Sequence, residues 1–172
     1  MNETTPEFSR RVPLSRLREA AERITVEADA AECAALAARF AIPAIGALQC
    51  RFVLRRDADG GIAARGALHA VVTQICVVSL EPFETPITEE FAVRFVPAPQ
   101  ISEEIGDLDD FDAPDEIGHD GAALDLGEAA AEQLALALDP WPRKPGASLP
   151  ETAPTVDPRL AALARLKRPP DA

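Results

Sequence analysis

The pentapeptide Asp57-Ala58-Asp59-Gly60-Gly61 stands between two long runs of strand-like sequence, an arrangement that leaves the chain few folds. Glycine supplies the positive φ that a tight hairpin turn needs, and aspartate bonds the turn's own backbone. The runs on either side, Ala47 to Asp57 and Ile62 to about Leu80, are therefore expected to pair as an antiparallel hairpin. Within the second run, Val71-Val72 and Ile75-Cys76-Val77-Val78 are unbroken and apolar. That implies burial on both faces, in a central strand or a curled, barrel-like one. Glu81-Pro82-Phe83-Glu84 turns the chain again. In the next segment Ile87, Glu89, Phe91, Val93 and Phe95 share one face, opposite Thr88, Glu90, Ala92 and Arg94. This is the clearest strand pattern in the chain.

Other elements fall around this nucleus. Phe8 to Leu14 reads as a short extended piece kept at an edge by Pro13. Arg23 to Glu27 alternates polar and β-branched residues, as a strand does. Asp29 is placed to cap a helix from about Ala30 to Ala41, with Cys33, Leu36, Ala37 and Phe40 at helical spacing and Pro43 ending it. Asp125-Leu126-Gly127-Glu128 resembles a capping box and opens a second helix, Leu126 to Leu138. The expected fold is α+β: a curved antiparallel sheet of about five strands, open to barrel-like closure, with both helices packed on it. At 172 residues the chain can bury one core. Residues 1–147 are expected to form a single domain with an acidic mobile loop at 98–116. Residues 148–172 read as a disordered Pro-rich linker and a short basic helix whose Leu160, Leu163 and Leu166 recur every third position.

Charge is unevenly distributed. The net charge is −12, yet residues 101–135 hold twelve acids and no Lys or Arg, so the remaining seventeen acids balance all seventeen basic residues. An acidic protein is a poor partner for polyanions, but here the acidity is local. Apolar runs fall short of a membrane span, and the acids near Met1 do not suit a signal peptide. A cytoplasmic protein that does not enter membranes is expected. Cys33, Cys50 and Cys76 are widely spaced among apolar neighbours, as reduced core thiols are.

Catalytic chemistry has little footing in the sequence. There is no nucleophile with a base, no phosphate cradle and no metal-ligand constellation, so a protein that is not an enzyme, with no cofactor and no metal, is expected. His69, among Leu68, Ala70 and Val71, reads as a structural histidine. His119, in the glycine-flanked stretch Gly118 to Gly121, reads as a solvated turn residue. The acidic stretch lacks the register of an EF-hand loop.

Arg65-Gly66-Ala67, Thr73 through Phe83, Glu90-Phe91 and Phe95 form one block of sequence. Asp125 to Glu128, Glu132, Leu134, Leu136, Leu138 and Pro142-Arg143-Lys144-Pro145-Gly146-Ala147 form a second, with the acidic loop between them. Together the blocks, spanning about Ile62 to Ala147, resemble the bacterial YceD family. The resemblance implies a non-catalytic role in accumulation or processing of large-subunit (23S) ribosomal RNA, hence in ribosome biogenesis. Many members carry Cys-x-x-Cys where this chain has Cys76 followed by Ser79, which removes half of any thiol or metal pair.

Two principal modes of action fit the residues. In the first, arginines contact large-subunit rRNA or a pre-ribosomal particle. The candidates are Arg10 and Arg11 in the early cluster with Arg16 and Arg18, Arg51 and Arg55 on one strand face, and Arg56 at the hairpin. Arg65 and Arg94 on neighbouring strands join them, with Arg143 and Lys144 near the second helix. Arginine suits forked phosphate contacts and base stacking. In the second, the 101–116 loop holds a basic ribosomal protein through Glu103, Glu104, Asp107, Asp109, Asp110, Phe111 and Asp112, folding as it binds. A variant has the same loop occupying the arginine face as a phosphate mimic.

Overall fold

The computed structural model describes residues 6–17, 20–98 and 114–148. In chain order the elements are strand β1 (Arg11–Pro13), a 3-10 turn (Leu14–Arg16), β2 (Glu22–Glu27), helix α1 (Ala30–Arg39), β3 (Ala44–Arg56) and β4 (Ile62–Ile75). β5 (Pro82–Pro97), β6 (Asp115–His119), β7 (Ala123–Asp125) and helix α2 (Leu126–Ala137) follow. Strands β2 to β6 lie side by side in sequence order, and β1 pairs with β7 in a separate ribbon. The fold is α+β with two helices and a mostly antiparallel five-stranded sheet. The sheet is open, with β2 and β6 as its edges, so the barrel-like closure does not form.

The hairpin forms as its sequence dictates. Pairing runs from Arg56↔Ile62 to Ala44↔Thr73, and the turn is closed by Asp57 N–H donating to the Gly61 carbonyl at 2.9 Å, with Gly60 at φ +91°. β4 ends earlier than its apolar run suggests. Cys76 to Leu80 make a turn in which Leu80 N–H donates to the Cys76 carbonyl at 2.9 Å and Leu80 takes φ +60°. Nor is β4 buried on both faces. Its residues alternate between the packed face and a more open one, because both helices contribute to a single core.

β5 starts well before Ile87, at Pro82, and pairs with β4 from Pro82 to Phe95. Pro82 and Pro86 cannot donate to a ladder on both sides. They are accommodated because β6 pairs only with Val93 to Pro97. That pairing is parallel and departs from a wholly antiparallel sheet. It also draws Asp115 and Glu116, expected in the mobile loop, into a strand. Most of the 98–116 loop and nearly all of the 148–172 tail lie outside the described residues.

The core fills the inner sheet face. Leu48, Cys50, Phe52 and Leu54 of β3, Leu68, Ala70 and Val72 of β4, and Val93 and Phe95 of β5 meet Cys33 and Leu36 of α1 and Leu126, Ala130 and Leu134 of α2. Gly66 sits in this face because Phe91 lies across it. A Cβ at Gly66 would run into the Phe91 ring, which packs edge-on against Phe52 at 5.8 Å between centroids. α1 carries a full capping box: Asp29 accepts from Ala31 and Glu32 N–H, and Glu32 accepts from Asp29 N–H. α2 has half of one. Asp125 accepts from Gly127 and Glu128 N–H, but the Glu128 carboxylate bonds Arg39 instead of closing the box.

Candidate nucleic-acid interface

Strand register, read residue by residue, lays out the opposite, outer face of the sheet as four rungs. Arg55, Ala63, Arg94 and Glu116 form the first; Arg23, Val53, Arg65 and Ala92 the second; Thr25, Arg51, Ala67 and Glu90 the third; Glu27, Gln49, His69 and Thr88 the fourth. Adjacent strands are about 4.8 Å apart, so four positions in a rung span roughly 14 Å. The second and third rungs line a shallow groove of about 630 Å³. Ile24, Phe52, Gly66 and Phe91 make its floor between them. Small side chains at Thr25, Ala67 and Ala92 keep it open, and Arg23, Arg51 and Arg65 stand around it.

The sequence candidates separate into two groups. Arg51, Arg55 and Arg65 share this face, are exposed, and make no ion pair among the described residues. Arg23, which the sequence reading passed over, joins them. Its strand alternation put it on a polar face, but only the register shows that the face adjoins Arg51 and Arg65.

The second group is engaged within the fold. Arg10 grips Glu32 at 2.6 and 2.7 Å, donates to the Glu27 carbonyl and lies over the Phe8 ring. Arg11 pairs with Asp120. Arg56 donates to the carbonyls of Leu14 and Leu17. Arg94 is surrounded by Asp59, Glu116 and Asp57, which raise its pKa. Lys144 pairs with Glu81 at 2.9 Å. Arg143 belongs to neither group: it is exposed, makes no ion pair among the described residues and does not line the groove. The partner-loop candidates Glu103, Glu104, Asp107, Asp109, Asp110, Phe111 and Asp112 lie outside the described residues.

Four of the described acids of the stretch serve the fold, Glu116, Asp120, Asp125 and Glu128. Glu116 holds Arg94, Glu128 holds Arg39 at 2.8 Å, and Asp125 caps α2. Asp120 accepts from the N–H groups of Ala122 and Ala123 and pairs with Arg11, which together hold its carboxyl down to about 2. Burial and the neighbouring Glu128 push the Glu132 carboxyl up.

Both histidines depart from expectation. His69 is exposed on the outer face rather than packed in the core. His119 is buried, because β6 pairs it with Pro97, and its Nδ1 accepts from Gly121 N–H at 3.0 Å.

All three cysteines are free and buried. Burial pushes the Cys50 thiol up to about 12 and raises that of Cys33. Cys76 differs. Its sulfur accepts from the N–H groups of Val78 and Ser79, at 3.4 Å each, and of Lys144 at 3.3 Å. The Ser79 side chain is the largest influence, followed by its N–H, and together these donors draw the thiol down to about 6. Among the described residues no group of three or more His, Cys, Asp or Glu is placed to hold a metal ion, and no helix is long and apolar enough to cross a membrane.

Fold and face together define an α+β protein whose open sheet face carries arginines without acidic partners among the described residues. The chain belongs to the YceD family: the model of the large ribosomal RNA subunit accumulation protein YceD matches residues 64–167, from β4 into the C-terminal tail. The family's name ties it to accumulation of large-subunit rRNA, consistent with ribosome biogenesis. No curated protein and no solved structure matches the chain.

Proposed function

We propose that this chain is a non-catalytic ribosome-biogenesis factor that supports accumulation or processing of large-subunit rRNA by laying its outer sheet face against RNA of a pre-ribosomal particle. The observation that carries this reading is the set Arg23, Arg51, Arg55 and Arg65, four exposed guanidiniums on one face with no ion pair among the described residues. Of the other arginines, Arg10, Arg11, Arg39 and Arg94 pair with acids, while Arg16 and Arg143 are exposed without an ion pair among the described residues and do not line the groove. Arg23, Arg51, Arg55 and Arg65 remain available to phosphate, for which the guanidinium fork is suited.

Each phosphate neutralised releases a counterion, so affinity must fall with salt. With about four phosphate contacts, binding to large-subunit rRNA should weaken roughly a hundredfold between 50 and 200 mM salt. Replacing Arg51 and Arg65 by alanine should lower the slope of log K against log salt by about two. Binding titrations at several salt concentrations measure both. An unchanged slope in the double variant would remove the outer face from RNA contact.

A further inference from the structure

Beyond contact with RNA as such, the outer face has a polarity that specifies the kind of RNA. Moving down the rungs, the first carries Arg55 and the mutually paired Arg94 and Glu116, the second Arg23 and Arg65, the third Arg51 with Glu90, and the fourth Glu27, Gln49, His69 and Thr88. Cations give way to hydrogen-bond acceptors within about three residue pairs, roughly 20 Å along the strands. Glu90 closes one end of the groove, exposed and without an ion pair among the described residues. A carboxylate in a groove shared with three arginines repels phosphate. Its place is explained if the ligand presents a hydroxyl donor next to its phosphates.

The face also lacks the means to read unpaired bases. Sheets that bind single strands stack bases on exposed aromatic rings. Here Phe52 is buried and Phe91 packs over Gly66 on the inner side. Among the described residues the outer rungs contain no Phe, Tyr or Trp, and His69 is their one ring. What remains is recognition of backbone and shape. The wide, shallow minor-groove side of an A-form duplex displays ribose 2′-hydroxyls between rows of phosphates.

Resting on the reading that this face contacts RNA, we infer that the groove takes double-stranded, A-form RNA from its minor-groove side. Phosphates lie on Arg23, Arg51 and Arg65, and a 2′-hydroxyl donates to Glu90. The arginines supply affinity. Glu90 distinguishes RNA from DNA.

The test uses the full chain and three fluorescent probes of equal charge: an RNA hairpin, the same hairpin in DNA, and a single-stranded RNA of the same length. The RNA hairpin should bind about tenfold or more tightly than either of the others, the effect of one hydrogen bond to a charged group. Glu90→Ala should bring the RNA and DNA hairpins close to equal affinity, while Arg51→Ala with Arg65→Ala should weaken all three probes. Circular dichroism confirms folding, and Glu90→Gln, which keeps an acceptor, should retain part of the discrimination. Single strands bound as tightly as the RNA hairpin, or a Glu90→Ala variant that discriminates as the parent does, would overturn the inference and leave RNA contact standing. If the arginine variants lose no affinity for any probe, RNA contact by this face falls and the inference falls with it.

Discussion

Cys76 is shielded from solvent, yet it is surrounded by donors where a buried thiol would ordinarily meet hydrocarbon. Three backbone N–H groups and the Ser79 side chain stabilise the thiolate, which sets it against Cys33 and Cys50, whose burial favours the protonated form. Absorbance at 240 nm should therefore show one thiolate appearing with a midpoint near pH 6, absent from Cys76→Ser. Because an unfolded thiol titrates near 9 and this one near 6, the unfolded chain binds more protons between those values. The contribution of Cys76 to stability is complete above about pH 9 and lost as pH falls through 6, so stability should rise across that window and rise less in Cys76→Ser. None of this was legible in the sequence, where Cys76 looked like the other two thiols. The donors from Val78 and Ser79 follow from a turn that the apolar run concealed, and the third comes from Lys144, 68 positions away. The same holds for arginine. Arg10 and Arg51 are equivalent as letters, and only the fold pairs one with Glu32 and leaves the other facing outward.

Strands β3 and β5 and both helices were legible because each repeats its pattern for ten or more residues, long enough for period 2 or 3.6 to emerge. β4 was legible as a strand from its β-branched run, which concealed its alternation and its end. Of the short strands, β2 was legible from the alternation of Arg23 to Glu27 and β1 as part of a short extended piece, but β6 and β7 were not. β6, Asp-Glu-Ile-Gly-His, has two acids and a glycine, and its strand state comes from the β5 backbone beside it. β7 exists because β1 pairs with it, and together they bring the N-terminal segment against the start of α2. There Asp125 accepts from Ser9 Oγ, from Arg10 N–H at 2.8 Å and from two N–H groups of its own helix. Gly127 makes the approach possible: a Cβ there would meet the Phe8 carbonyl oxygen at 2.5 Å and Arg10 N at 2.8 Å, backbone atoms that cannot swing aside. Gly127→Ala, although alanine favours helix, should destabilise the protein by about 1–3 kcal/mol through overcrowding. A urea melt reads this as a lower midpoint at unchanged slope.

At the scale of the molecule, a net charge of −12 misdescribes the surface that matters. Of the described acids of residues 115–132, Glu116, Asp120 and Glu128 hold arginines and Asp125 caps a helix, and the outer sheet face keeps its positive charge. A second whole-molecule property is how the first and last elements are joined. Phe8 is fully buried in the core cluster that also contains Leu124, Leu126 and Leu134, and Arg39 ties Glu7 to Glu128 across α1 and α2. Phe8→Ala should cost about 3–5 kcal/mol. Hydrogen exchange should speed up in α2, far along the chain from the substitution, as well as near residue 8; exchange confined to the N-terminal segment would show that the two ends are not one cooperative unit.

The β1–β7 ribbon also sets a schedule. Arg11 pairs with Asp125, and everything between them must be made before the pairing can form. At about 5–20 residues per second, the segment around Phe8 spends on the order of ten seconds on the ribosome with its partner still unsynthesised. The hairpin of β3 and β4, whose pairing partners are close in sequence, can form during that interval. The ribbon, and the clasp of Ser9 and Arg10 on Asp125, then forms late, after the hairpin that it helps to cover.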